Sequence, residues 1–296
     1  MDKVFKSGYV GIVGVPNVGK STLLNRLAGQ KIAIISAKPQ TTRNKILAIA
    51  TDEDSQIVFV DTPGFHKPKT KLGESMIKSV DETIEDVDLL LMVVEPDEKI
   101  TAAEKEIIEK TNGIPTILVV NKADTTERLN ILPVIEKYNE LLEFADIIPV
   151  SASTGEGIED LVKIIKNNLS EGPMYYPEDM VTDQSEKQIV AELIREKALR
   201  LLNQEIPHGI AVEIIKMKNK GDDMCEISAT IYCEKESHKR IIIGSKGSKL
   251  KAIGSSARID CEKMLDRKVF LQLWVKVKND WRNSEQLMKE FGMSDL

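Results

Sequence analysis

The run Gly14-Val15-Pro16-Asn17-Val18-Gly19-Lys20-Ser21, continued by Thr22 into an apolar helical stretch, is the first place where this sequence can do chemistry. Its two glycines let successive backbone N–H groups curl around an anion, and the helix that follows turns its positive end to the same point. Lys20 adds a point charge and Ser21 a hard oxygen donor, which suits the phosphates of a nucleotide together with Mg²⁺. Asp61-Thr62-Pro63-Gly64 follows an apolar run and places a carboxylate where it can hold Mg²⁺ through a water, with the Gly64 N–H offered to a γ-phosphate. Taken alone that tetrapeptide is an ordinary turn, so its weight comes from its place downstream of the phosphate loop. Between the two lies Gln40-Thr41-Thr42-Arg43, where one threonine can complete the Mg²⁺ shell; Thr42 is the first choice and Thr41 the second. The catalytic set is therefore Lys20, Thr42, Asp61 and Gly64.

Asn121-Lys122-Ala123-Asp124 supplies a base reader. A buried carboxylate at Asp124 accepts hydrogen bonds from N1–H and the 2-amino group of guanine, and adenine has neither donor, so ATP is rejected. Asn121 and the Lys122 stem brace the loop and cover the base. In Ser151-Ala152-Ser153 the small side chains let a backbone N–H approach the guanine O6.

A different chemistry appears at Gly244-Ser245-Lys246-Gly247, which follows Ile241, Ile242 and Ile243. Paired glycines let a sugar–phosphate backbone pass close. Lys235, Lys239, Arg240, Lys246, Lys249 and Lys251 surround the loop, and Glu236 is the only acid among residues 235–251, a local charge of +5. Ile243 and its neighbours Ile241, Ile242 and Ile253 are candidates to sit beneath bases, in competition with a core role. Trp274 alternates within an apolar run and is expected in the core, and Trp281 against a C-terminal helix. His66 is expected as a solvated loop residue, His208 in a turn and His238 on the basic edge, none with the company a metal ligand needs.

These loops need elements to hold them. Strand-like runs at residues 9–13, 46–50, 57–60, 89–94, 116–120 and 147–150 alternate with helical spacing, and runs apolar on both faces suit a doubly wound, mostly parallel α/β sheet. In such a sheet ligands bind beyond the carboxyl ends of the strands, where the phosphate and base motifs fall. Periodicity stops at Glu171-Gly172-Pro173, and the order beyond is αββααβ, a smaller α+β fold. The expected domains are residues 1–172 and 183–296, joined by a linker at 173–182.

The chain has 296 residues, 42% of them hydrophobic, 30% charged and 4% aromatic, which excludes collagen-like and disordered classes. The apolar run at 89–94 is six residues long, far short of the ~20 that span a membrane. Near the N-terminus no apolar h-region is present, so no secretory signal is expected. Cys225, Cys233 and Cys261 are too few and too scattered for a disulfide framework or a thiolate zinc site. A net charge of −6 argues against nucleic acid for the whole chain, but it divides into −9 over residues 1–181 and +3 over 182–296.

Together, the Pro16-Asn17 pair, Gln40-Thr41-Thr42-Arg43 and Asp61-Thr62-Pro63-Gly64 resemble the Era branch of the translation-factor-type small GTPases, and residues 183 to about 280 resemble a type II KH domain. That resemblance implies a Mg²⁺-dependent GTP-hydrolysing switch acting in small-subunit (30S) ribosome assembly. It implies binding of single-stranded ribosomal RNA near the 3′ end of the small-subunit RNA. It further implies a monomer in the cytoplasm with a peripherally membrane-associated fraction. One departure from the Ras-like pattern is Phe65, where many GTPases carry the glutamine that orients the attacking water. Intrinsic hydrolysis is therefore expected to be slow, with a backbone-held water and a monovalent cation, K⁺, beside Asn17 in the glutamine's stead. A non-catalytic guanine-nucleotide-regulated RNA adaptor is the alternative reading. A P-loop kinase is a weaker one, because nothing resembles an acceptor pocket.

Overall fold

The computed structural model describes residues 4–36, 38, 40–111, 113–202, 206–221 and 223–293. The first domain runs β1 (Lys6–Val13), α1 (Lys20–Leu27), β2 (Ile46–Thr51), β3 (Ser55–Asp61), α2 (Lys71–Glu85) and β4 (Leu89–Val94). It continues with α3 (Ala102–Thr111), β5 (Thr116–Val120), α4 (Leu132–Asn139), β6 (Asp146–Pro149) and α5 (Ile158–Asn168). Its six strands lie in the order β2-β3-β1-β4-β5-β6, all parallel except β2, which is antiparallel to β3. Every residue of β4, Leu89-Leu90-Leu91-Met92-Val93-Val94, is buried, because helices cover both faces of the sheet. Ile12, Phe59, Leu91 and Val119 pack with Leu23 of α1 and Leu161 of α5 on one face. On the other, Leu90, Met92 and Leu118 meet Val80 of α2, Ile107 of α3 and Val134 of α4. This is the doubly wound sheet expected from the alternation of runs. Several strands run longer than their apolar runs, since polar residues such as Lys6 and Asp61 still pair through the backbone.

The second domain runs α6 (Glu186–Leu201), β7 (Ala211–Lys220), β8 (Met224–Cys233), α7 (Glu236–Ile243), α8 (Ser248–Leu265), β9 (Lys268–Val277) and a short terminal α9 (Glu285–Glu290). Its sheet is β7-β8-β9, with β7 antiparallel and β9 parallel to β8. A capping box opens α6: the Ser185 side chain accepts from the Gln188 N–H, and the Gln188 side chain accepts from the Ser185 N–H. Helices cover one face along its length, over Cys225, Ile227, Ala229 and Ile231, and on the other face α9 and the residues after it cover only the Ala211–Tyr232 end. Cys225, Cys233 and Cys261 are free and buried. Trp281 is buried edge-on against Phe291, ring centroids 5.5 Å apart, and its indole N–H donates to Gly209 O at 2.9 Å. Trp274 does not join the core: it is 46% exposed. Its partner across the ladder is Thr230, which alternates with core residues Ala229 and Ile231, so the register turns Trp274 to the uncovered face.

The segment expected to be a linker is stitched to the first domain. Gln56 accepts from the N–H groups of Tyr175 (2.7 Å) and Tyr176 (2.9 Å) and donates to Tyr176 O at 2.9 Å. Val181 O accepts from the Ile49 N–H, extending the ladder past the free edge of β2.

Candidate functional site

The phosphate loop joins β1 to α1, and both of its glycines are sterically required. Gly14 has φ +152° and a Cβ there would lie 2.4 Å from Val93 O; Gly19 has φ +100° and its Cβ would lie 2.2 Å from Asn121 Nδ2. With Gly19 as the residue before α1, the free N–H groups of the first helical turn point into a cleft of about 370 Å³. Lys20 is buried in the floor, donating to Gly14 O at 2.9 Å and Val15 O at 3.0 Å, and burial lowers its ammonium to about 8. An anion in the cleft would restore the charged form. Pro16, Asn17, Ser21 and Thr22 line the same cleft, with Val18 buried behind it.

Asp61, at the carboxyl end of β3, is fully buried. Its Oδ2 accepts from the Ser21 hydroxyl at 2.8 Å and the Thr42 hydroxyl at 3.3 Å, and those hydroxyls lie 2.8 Å apart. Asp61 Oδ1 makes no hydrogen bond among the described residues although it is buried. Burial raises this carboxyl to about 6. Two hydroxyls and a carboxylate with an unused buried oxygen form a hard, all-oxygen donor set, which fits Mg²⁺. Thr41 points elsewhere, its hydroxyl donating to Lys38 O at 2.6 Å. The Thr62 hydroxyl donates to Ile12 O at 2.8 Å, tying the Asp-Thr-Pro-Gly turn to β1. Beyond Pro63, a Cβ on Gly64 would lie 2.9 Å from Pro16 Cα, so glycine lets this turn cross the phosphate loop.

Phe65 is 4% exposed and packs inward with Val13 and Val80. His66 is not a free loop residue. With Nδ1–H donating to Gly64 O (2.7 Å), its Nε2 accepts from the Gln40 amide (3.1 Å), one tautomer serving both bonds.

At the base end Asn121 is the tie. Its amide donates to Val18 O at 2.8 Å, and its Oδ1 accepts from the Ala152 N–H at 3.0 Å, locking three loops together. Lys122 donates to Asn17 O at 2.8 Å and is ion-paired with Glu95. Ser151 and Ala152 are buried and Ser153 exposed; Arg26 donates to Ser153 O at 2.7 Å. Asp124 departs from expectation: it is exposed, on a single helical turn at the mouth of the site, so any desolvation of this carboxylate must come from the base itself. The sequence pointed to neither Arg26 nor Glu95, nor to Ile34 and Ile35, which wall the cleft. Nothing local distinguishes these residues from ordinary surface or core positions.

Gly244 and Gly247 both have positive φ, at +72° and +78°, in a tight turn between α7 and α8 with Lys246 at its tip. Beside it lies a groove lined by Gly247, Leu250, Lys251, Gly254 and Arg258 on one side and by β9 on the other. Gly254 opens it, since a Cβ there would press on Leu273 at 3.3 Å. Lys246 and Ser245 are exposed at the turn and Lys249 lies on α8, while Lys235, Lys239 and Arg240 stand along or before α7, away from the groove wall. Ile242 and Ile253 are fully buried core residues, Ile243 is half-buried and Ile241 is 43% exposed. The sequence missed Arg258, Leu250 and Gly254 as groove residues, because their placement depends on the packing of α8 against β9.

A phosphate loop, a hydroxyl–carboxylate metal corner and a guanine-type base loop on this sheet, followed by a glycine-loop α+β module, define a P-loop GTPase coupled to a KH domain. Residues 9–122 match the family model described as 50S ribosome-binding GTPase, and residues 205–282 match that of the KH domain. Among curated relatives, GTPase Era of Clostridium kluyveri is 52% identical over 291 residues, covering 98% of this chain and 99% of that protein. GTPase Era of Clostridioides difficile strain 630 is 53% identical over 296 residues, covering 99% and 100%. Two solved structures of Era align with TM-score 0.94 at 41% identity, covering 97% of this chain and 99% of theirs. One is a complex with MgGDPNP and nucleotides 1506–1542 of 16S ribosomal RNA, the other an Aquifex aeolicus variant bound to GDP and aluminium fluoride. The chain belongs to the Era family of GTPases, and it binds and hydrolyses GTP.

Proposed function

We propose that this protein is a GTP-driven switch that binds the 3′ segment of small-subunit ribosomal RNA through its second domain and acts in 30S subunit assembly. The observation that carries the nucleotide half is Asn121, whose amide binds the phosphate loop and the guanine-side loop at once. The RNA half rests on the glycine turn and its groove, and on the 16S fragment held by a relative that spans the same two domains.

In this scheme Gly14 to Thr22 hold the phosphates by backbone N–H groups, with Lys20 between the β- and γ-phosphates. Ser21 and Thr42 ligate Mg²⁺ and Asp61 holds it through a water; the ion neutralises charge developing on the phosphate oxygens. Gly64 presents its N–H to the γ-phosphate, while Asp124 reads the guanine edge, Ser151 to Ser153 face O6 and Lys122 covers the ring. Since Phe65 is turned into the core, no side chain at that position orients the water, and unassisted hydrolysis is slow. Asn17, exposed at φ +71° beside the cleft, is the position for K⁺. The RNA contacts are Gly244 to Gly247, Lys249 and Lys251, with Ile243, Lys235, Lys239 and Arg240 flanking.

The test is a cross of two variants in the full chain. Lys20→Ala should abolish GTP binding and leave RNA affinity within about twofold; Gly247→Asp, which meets no neighbouring atom but strains the turn at φ +78° and adds a negative charge there, should do the reverse. Loss of both activities in either variant, or of neither, would overturn the assignment. A hydrolysis rate identical in K⁺ and Na⁺ and unchanged by Asn17→Ala would remove the cation. The protein is expected to be a cytoplasmic monomer with a peripheral membrane fraction, which ultracentrifugation and vesicle co-sedimentation decide. No helix among the described residues is long and apolar enough to cross a membrane.

A further inference from the structure

The second sheet has one face that nothing in the first domain or its own helices covers over most of its length. Cys225, Ile227, Ala229 and Ile231 of β8 point to the helices, so Glu226, Ser228 and Thr230 point to the other side. Opposite them on β9 stand Phe270, Gln272 and Trp274. Phe270 is 50% and Trp274 46% exposed, in a chain with only 4% aromatic residues. They are four residues apart on one strand, about 13 Å, and Ser228 and Thr230 of β8, buried at 8% and 2% exposure, lie beneath the long side chains that flank them from β7 and β9.

The third strand of this face is built by a defect. Ala211 and Glu213 pair with Tyr232 and Thr230, and unbroken alternation would next bring Ile215, Met217 and Asn219 to the open side. A bulge between Ile214 and Lys216 shifts the register by one, and Lys216, Lys218 and Lys220 take their places opposite Ser228, Glu226 and Met224. Met217 is thereby turned to the core. With Lys268 and Lys276 on β9, five exposed lysines share the face with two glutamates. Those two are engaged: Glu213 accepts from the Tyr232 hydroxyl at 2.8 Å, and Glu226 lies 3.1 and 3.2 Å from Lys216 and Lys220.

Exposed aromatics on a strand with a row of lysines about 10 Å away across the sheet match bases that stack and phosphates that pair. A protein partner would be expected to meet a larger apolar patch with fewer like charges. The face also continues the RNA groove, since β9 is the groove's wall: Val269, Leu271 and Leu273 look into the groove side, Phe270 alternates to the far side but still lines the groove's rim, and Trp274 stands clear of it on the far side. We propose that the open face of this sheet is a stacking platform for single-stranded RNA that crosses the β9 edge from the groove, with bases on Phe270 and Trp274 and phosphates on the lysine row. The inference rests on the RNA-binding assignment of the second domain.

The experiment uses the full chain with Mg²⁺ and a GTP analogue. Tetranucleotides tiled across the 16S segment held by the solved relative identify the groove ligand, and strands of about twelve nucleotides extend the best of them at either end. Trp274→Ala, which spares Phe270 at the groove rim, should weaken one of the longer strands by about fivefold or more, the lower bound of one lost base stack, and leave the tetranucleotide unchanged. Only two tryptophans are present and Trp281 is buried, so that longer strand should also quench the fluorescence of Trp274 in the wild type, and the tetranucleotide should not. Longer strands that bind no tighter than the tetranucleotide, or that bind Trp274→Ala as well as wild type, would overturn the platform while the groove stands. An equal loss for both lengths would overturn it too. If no tetranucleotide binds, or binding survives Gly247→Asp, the groove assignment itself fails.

Discussion

In the proposed scheme Asp124 reads guanine from an exposed position, so its selectivity must arise as the base shields it from water. Replacing Asp124 by Asn turns an acceptor pair into one donor and one acceptor, which suits a xanthine base, whose 2-carbonyl stands where guanine has its amine. We expect Asp124→Asn to lose GTP affinity by about 100-fold or more and to gain XTP binding, measured by competition with a fluorescent nucleotide. Asp61 is the other informative carboxylate. Burial holds it up at about 6, against 3.8 for an ordinary aspartate, so between those values the folded protein binds more protons than the unfolded chain. Stability without Mg²⁺ should therefore fall as pH rises from about 4 to about 6 relative to Asp61→Asn. Melting curves of the two proteins in EDTA check this, and Mg²⁺ with GDP, which favours the ionised form, should remove the difference. An identical pH profile for the two proteins in EDTA would contradict the burial argument.

At the scale of elements, Gln56 shows how one side chain converts a break in periodicity into an ordered strap. It is fully buried and satisfies two N–H groups and one carbonyl of the segment after α5. Gln56→Ala should cost about 2–4 kcal/mol in urea unfolding, because it leaves buried backbone groups unpaired. It should also speed proteolysis near Met174 and Tyr175, which are 43% and 46% exposed. Nothing in Glu171-Gly172-Pro173 announces this: Gly-Pro marks the end of a helix, and whether the chain beyond it is tethered depends on a residue more than a hundred positions away. The strands were legible for the opposite reason. β4 and β5 start and stop where their apolar runs do, since each is covered on both faces and its composition alone states that burial.

Across the whole molecule, the two domains meet on the loop that holds Thr42. While Thr42 faces Asp61, its neighbours face the second domain: Arg195 donates to the Thr41 carbonyl, and Arg43 donates to Ile210 O at 2.6 Å and His208 O at 3.0 Å. Arg43 is 3% exposed, its guanidinium 5.4 Å from the Trp281 ring, and burial beside Arg195 lowers it to about 9. Lys31 and Arg200 converge on the buried Glu196 at 2.6 and 2.5 Å. Placement of Thr42 beside Ser21 and Asp61 and seating of the second domain are thus set by consecutive residues of one loop. Arg43→Ala should weaken the junction by about 3 kcal/mol, since a buried cation and two carbonyl bonds are lost together. Calorimetry should then show the single melting transition separating into two; one unshifted transition would show that the junction does not depend on Arg43.

By itself the sequence located the two domains, the loops at 14–21, 61–64 and 121–124 and the glycine turn at 244–247, because each is a contiguous run whose backbone geometry follows from local glycines, caps and apolar spacing. Thr42 over Thr41, Phe65 turned inward, Asp124 left exposed and Trp274 on the open face were decided only by tertiary structure. Each of these is a choice of side for a side chain, set by register and by elements distant in sequence. The bulge before Lys216 shows the scale of that choice: one extra residue in a strand moves three lysines from one face of the sheet to the other.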